Sequence, residues 1–81
     1  MKMPRDLGGD ELARRLGKFG YTVTRQSGSH MRLTSSFKGA HHHVTIPRHT
    51  PLKIGTLSSI LKDIASYLEV DRQQLIDELF R

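Results

Sequence analysis

The run Arg25-Gln26-Ser27-Gly28-Ser29-His30 holds the residues of this chain best suited to chemistry. Histidine is the one side chain whose unperturbed pKa lies near neutral pH, so it can give or take a proton there. His30 follows a Gly-Ser turn and is flanked by Arg25 and Arg32. An imidazole between two guanidiniums suits a phosphodiester: the cations hold the phosphate and the ring moves a proton. RNA carries its own nucleophile, the 2′-hydroxyl beside each phosphate, so such a site requires neither metal ion nor cofactor. General acid–base help is worth about 10²–10⁴ in rate, and cations near the developing charge add electrostatic stabilisation. From spacing alone, an exposed strand histidine without a task reads equally well. Gly28-Ser29-His30-Met31 also spells a cloning remnant, but it is internal and continues a strand alternation.

The three consecutive histidines His41, His42 and His43 suggest a metal. Adjacent strand residues point to opposite faces, so at most two of them converge. A zinc site wants three or four protein ligands, and no acidic residue lies near in sequence, so no metal site is assigned. His42 shares a face with Val44 and Ile46, at the edge of the core. His43 shares the other face and could bind phosphate or assist His30. The chain has no Gly-rich phosphate loop, no Ser/His/Asp arrangement and no CxxC.

The elements that must position these residues follow from periodicity. Leu12, Ala13, Leu16 and Phe19 fall on one helical face and predict a helix over Asp10–Phe19. Gly9 is its expected N-cap and Gly20 its left-handed end. Gly17, inside that helix, should cost about 1 kcal/mol relative to alanine. Tyr21–Arg25 and His30–Thr34 alternate as strands, with Tyr21, Val23, Met31 and Leu33 inward. Gln26–Ser29 is a turn cluster, and Ser35–Ala40 a second. His42–Ile46 is a third strand, ended by Pro47. Leu57, Ile60, Leu61, Ile64, Ala65 and Leu68 give the strongest helical stripe, with Thr56 as candidate N-cap. A last helix opens at Asp71, with Gln74 as a weak capping box and an apolar stripe of Leu75, Ile76, Leu79 and Phe80. The predicted order is α-β-β-β-α-α. That is an α+β domain whose three-stranded antiparallel sheet is covered by helices on one face. The other face then carries His30, Arg32, His43 and Thr45 to solvent.

Composition narrows the class. Eighty-one residues make one domain. With no cysteine there is no disulfide, thiolate nucleophile or Cys-type zinc site. No apolar run approaches the roughly 18 residues of a membrane span. The opening Met1–Asp6 lacks the apolar stretch of a signal peptide, so the expected setting is the cytoplasm. The formal charge is +5, unevenly spread: residues 1–53 hold ten Lys/Arg against three Asp/Glu, and residues 54–81 hold three against five. That balance points to a polyanion, met by Lys2, Arg5, Lys18, Arg25, Arg32, Lys38, Arg48 and Lys53.

Several segments taken in order carry a family resemblance. They are the Gly9-Asp10-Glu11-Leu12 helix start, Gly20-Tyr21, the run from Arg25 to His30, Val44-Thr45-Ile46-Pro47-Arg48-His49, and Gly55-Thr56-Leu57-Ser58-Ser59-Ile60-Leu61. From Gly9 to about Leu68 the chain resembles HicA-type toxins, the small ribonucleases of type II toxin–antitoxin pairs. The resemblance implies a double-stranded-RNA-binding-domain-like fold with its core over about residues 9–68; the helix over about 71–80, read from its apolar stripe, is less typical of the family. It implies endoribonuclease action on mRNA that arrests translation, with a HicB-type antitoxin as partner and no cofactor. The family's catalytic histidine follows the Gly-Ser turn and maps to His30. The expected RNA-contacting set is Arg25, Ser29, Arg32, Lys38, His43, Arg48 and Lys53, with Arg25, Arg32 and Arg48 on phosphate. Two other readings stay open: a module of the same fold that grips RNA without cutting it, and a sheet face that serves to dock a protein partner.

Overall fold

Two tight reversals generate the sheet, and a computed structural model describes it over residues 3–81. A helix, α1 (Gly9–Leu16), leads through one 3₁₀ turn into β1 (Thr22–Ser27), β2 (His30–Lys38) and β3 (Ala40–Pro47). These are followed by α2 (Ile54–Leu68) and α3 (Arg72–Leu79). The strands pair antiparallel in the order β1-β2-β3. The element order and antiparallel sheet are those the periodicities predict, and the arrangement is the double-stranded-RNA-binding-domain-like α+β fold that the resemblance implies.

The first reversal fixes the geometry around His30. Ser27 pairs with His30, leaving a two-residue loop of Gly28 and Ser29. Gly28 has φ +57°, and glycine at the first central position marks the type II′ hairpin turn, whose twist matches that of the strands. The second reversal is tighter than the six-residue turn expected. β2 runs on to Lys38, and the Gly39 amide, at φ +94°, donates to the Ser36 carbonyl at 2.8 Å.

Alternation sorts the sheet into two faces. Met31, Leu33, Val44 and Ile46 point inward and are buried with Leu12 and Leu16 of α1, the α2 stripe, and Leu75, Ile76, Leu79 and Phe80 of the last helix and its end. Val23 departs from expectation: it pairs with inward Leu33 yet is 48% exposed. β1 is an edge strand, and all six of its residues are exposed. Ser35, read as turn, is a buried strand residue whose hydroxyl donates to the Phe19 carbonyl at 2.7 Å and accepts from the Phe37 amide at 3.1 Å.

Helix ends differ by small steps. α1 ends at Leu16, so Gly17 begins the 3₁₀ turn instead of interrupting a longer helix, and Gly20 takes the expected left-handed conformation at φ 80°. Gly8, not Gly9, is the N-cap of α1. Gly9 instead lies so close to β3 that a Cβ there would overlap the Pro47 carbonyl. α2 starts after Lys53, which displaces Thr56 from the cap. α3 does start after Asp71, without a bond from its side chain. Arg15 donates to the Leu79 carbonyl at 2.8 Å, and its guanidinium lies 5.5 Å from the Phe80 ring centroid, so α1 holds the chain's end in place.

Candidate nucleic-acid interface

The outer sheet face is built by register. Outward positions of β2 are His30, Arg32 and Thr34, paired on β3 with Pro47, Thr45 and His43. On β1, Ser27 stands opposite His30 and Arg25 opposite Arg32. Opposed residues in such a ladder have Cβ atoms about 4.5–5.5 Å apart, and His30 and Arg32, two residues apart, are separated by roughly 7 Å of strand. His30, Arg25, Arg32 and the turn residue Ser29 therefore gather at one end of an open, exposed face. The side chains of Arg25 and Arg32 have no ion-pair or hydrogen-bond partner among the described residues. Like charges directly across a ladder repel, so these two cations form a site short of an anion.

A β-bulge adds to that face. Val23 and Gln26 both pair with inward residues, Leu33 and Met31, although they are three positions apart. The extra residue turns Thr24 outward alongside Arg25. Bulges recur beside active sites, where they re-aim a side chain. Thr24 went unnoticed in the sequence although a signal exists. A two-residue hairpin counted back from Ser27–His30 would place Thr24 inward and Val23 outward, and that conflict is resolved only by one extra residue.

At the far end, one chain of hydrogen bonds orders every proton. Thr24 Oγ1 donates to the Arg32 carbonyl at 3.3 Å, so it accepts from Thr34 Oγ1 at 2.8 Å. With its single proton spent, Thr34 Oγ1 accepts from His43 Nδ1 at 2.8 Å. His43 is thereby held in the tautomer that leaves Nε2 bare. Desolvation by the surrounding side chains, then Arg32, His41 and His42, hold its pKa below the ordinary histidine value. A bare imidazole nitrogen accepts from hydroxyl or amino groups and is ill-suited to a phosphate oxygen. His43 also pairs with Thr34, four residues along β2 from His30, which is about 13 Å of strand. It lies out of reach of any proton that His30 handles, so the idea that it assists His30 does not hold.

Three of the expected basic groups lie elsewhere. Arg48 grips Asp10 through Nε and Nη2, at 2.9 and 3.2 Å. Lys38, at the far hairpin, faces Glu69 at 3.6 Å. Lys53 is the N-cap residue of α2, off the sheet. Lys18 is likewise occupied, donating to the Glu78 carbonyl at 2.9 Å, and Lys2 lies outside the described residues.

His42 takes the inward position expected of it and makes a structural clasp. Burial holds the Tyr21 hydroxyl protonated, its pKa raised above the usual tyrosine value. It donates to His42 Nδ1 at 2.7 Å, leaving Nε2–H for Asp63 at 3.2 Å. The ring stacks on Tyr67 at 4.6 Å, whose hydroxyl donates to the Ala40 carbonyl at 2.6 Å. This clasp ties α2 to β3 on the side away from the cationic face. Among the described residues, no three His, Cys, Asp or Glu side chains gather as a metal site, and no helix is long and apolar enough to cross a membrane.

A small α+β domain of this topology, with an open cationic sheet face, belongs to the double-stranded-RNA-binding-domain-like class of folds. Its family is narrower: the model described as HicA toxin of bacterial toxin-antitoxin matches residues 9–65, well over half of the chain, and the chain belongs to that family. It is thus a toxin of a toxin–antitoxin system, which implies a HicB antitoxin as partner. Searches of curated proteins and of solved structures find no match.

Proposed function

We propose that this toxin is a metal-independent endoribonuclease acting on mRNA in the cytoplasm, with His30 as its general acid or base. The observation that carries this reading is the Arg25–Arg32 pair, two cations opposed without a counter-charge, adjoining an exposed imidazole on the same face. A phosphodiester laid there has its charge matched by the guanidiniums, each offering planar pairs of N–H donors. The ribose 2′-oxygen attacks the neighbouring phosphorus and the bond to the 5′-oxygen breaks, leaving a cyclic phosphate and a 5′-hydroxyl. One proton leaves the 2′-hydroxyl and one reaches the departing oxygen, and His30 handles one of these transfers. Arg25 and Arg32 bear on the negative charge that grows on the phosphoryl oxygens. Ser29 adjoins the same site and Arg48 lies at its periphery, whereas Lys38, at the far hairpin, and Lys53, off the sheet, take no part in it.

The test is incubation of mRNA with the purified chain in excess EDTA. Cleavage is expected to persist in chelator and to fall by about 10²–10⁴ in His30→Ala, whose exposed position leaves the fold intact. Loss of cleavage in EDTA overturns metal independence, and full activity of His30→Ala overturns the site. RNA binding that is steeply salt-dependent, with no cleavage, would instead make the chain a binding module.

A further inference from the structure

The strand that carries three histidines puts two of them on the same side. His41 and His43 alternate around inward His42 on β3, and their rings meet edge to face with centroids 6.4 Å apart. Both are exposed. We propose that His41 and His43 chelate one borderline divalent transition-metal ion, of the Zn²⁺, Ni²⁺ or Cu²⁺ class, with water completing the coordination.

Three observations support the site. The first is the free nitrogen of His43. A metal-binding histidine generally donates its other ring N–H to a fixed acceptor, which sets the tautomer and orients the ring. Thr34 is that acceptor, itself fixed through Thr24 to the Arg32 carbonyl. The ring thus offers Nε2 as a lone pair without rearrangement. The second is spacing. Two imidazoles bound at about 2.0–2.1 Å from one ion bring their ring centroids to roughly 5 Å when their bonds meet near the tetrahedral angle. His41 has no hydrogen bond among the described residues, so rotation of its ring from the present 6.4 Å closes the gap while His43 stays fixed. The third is ligand chemistry. Among the described residues no carboxylate is paired with either ring, which disfavours Mg²⁺ or Ca²⁺, whereas imidazole suits the later first-row divalent ions.

This site is separate from the one proposed for cleavage, since His43 lies four residues along β2 from the level of His30. It therefore stands or falls independently of the ribonuclease reading. Two protein ligands make a weaker site than a structural zinc centre, so binding in the micromolar range is expected, at one ion per chain.

Zn²⁺ alone, titrated into the full chain with calorimetric detection, tests the proposal. His41→Ala and His43→Ala should each weaken binding at least tenfold, while His49→Ala, in the loop after β3, should leave it unchanged. Thr34→Val keeps both imidazoles but removes the fixed acceptor, and should weaken binding about tenfold, an effect that a chance pair of surface histidines would not show. In ¹⁵N spectra of the histidine rings, Zn²⁺ should shift Nε2 of His43 while Nδ1 keeps its proton. Absence of binding up to millimolar Zn²⁺, affinity indifferent to His41→Ala or His43→Ala, or affinity indifferent to Thr34→Val overturns the proposal.

Discussion

Arg25 stands directly across the β1–β2 ladder from Arg32, and no acidic side chain answers either one among the described residues. The pair costs stability through mutual repulsion and is relieved by a bound anion. Replacing either residue should therefore separate stability from binding. In a His30→Ala background, where RNA stays intact, Arg25→Thr and Arg32→Thr should each weaken RNA binding. Each should also flatten the slope of log affinity against log salt, by about 0.7 for every phosphate of a single strand that the variant no longer neutralises. Thermal denaturation of the same proteins should show a Tm unchanged or raised. A falling Tm with an unchanged salt slope would make these arginines structural.

The approach of α1 to the end of β3 is what holds the chain's two halves around the cationic face. Gly9 lets the backbone come close to Pro47, which pairs with His30. A methyl group at position 9 meets backbone, which cannot swing aside as a side chain would. Gly9→Ala should destabilise the fold by about 1–3 kcal/mol, read by urea denaturation. Gly17→Ala is the matched control, since a Cβ there meets nothing, and it should be neutral or stabilising.

Tyr21 makes the fold sensitive to alkali. Its hydroxyl stays protonated in the folded chain, because burial, with Tyr67 and Asp63 nearby, raises its pKa. In the unfolded chain it ionises near the ordinary tyrosine value of about 10. Above that pH the unfolded state releases a proton that the folded state keeps, so stability is full below about pH 10 and declines as pH rises further. Tyr21→Phe should lose roughly 1 kcal/mol at neutral pH through the unmade bond to His42. It should also flatten the alkaline decline, as followed by circular dichroism in denaturant at successive pH values.

Periodic burial was the legible part of this chain. Every residue of the stripe from Leu57 to Leu68 is buried, as are Met31, Leu33, Val44 and Ile46 of the sheet and the stripe of the last helix. Repeating a pattern against one core leaves a trace in the sequence. Of the candidate site, only the grouping of Arg25, His30 and Arg32 was legible, where two strands and a two-residue turn fix it locally. What could not be read came from long-range pairing. Arg48 looks like a phosphate ligand until Asp10, 38 positions away, pairs with its Nε and Nη2. Lys38 meets Glu69, and Lys18 meets the end of α3, for the same reason. Charge clustering in a sequence counts cations without showing which of them are already neutralised.

The last helix lies beyond residues 9–65, the part matched by the family, yet it is part of the core. Leu75, Ile76, Leu79 and Phe80 are buried there, and Arg15 and Lys18 of the first helical segment reach the carbonyls of Leu79 and Glu78. Leu75→Ala should cost about 2–5 kcal/mol, a large share of the stability of so small a domain. Urea denaturation of that variant checks it. A loss below about 1 kcal/mol would mean that the helix is an appendage.

Asp10 offers a way to strengthen the cationic face without adding a cation. Its carboxylate occupies Arg48, which enters from the loop after β3, where the Arg48 amide bonds to the Ser29 carbonyl beside His30 at 2.7 Å. Both partners are exposed, and such a pair is screened by water and salt, so breaking it should leave folding nearly untouched. Asp10→Asn removes the negative charge while keeping the shape, and frees Arg48 for a phosphate near the turn. RNA affinity should rise, and its salt slope should steepen by about 0.7 for one more phosphate held on a single strand. Arg48→Ala in the natural chain should weaken binding less than Arg25→Thr or Arg32→Thr, because the charge it removes is already matched. The order of these effects decides the matter: an Arg48→Ala loss as large as that of Arg32→Thr would show that RNA displaces Asp10, and would move Arg48 from the periphery into the phosphate-binding set.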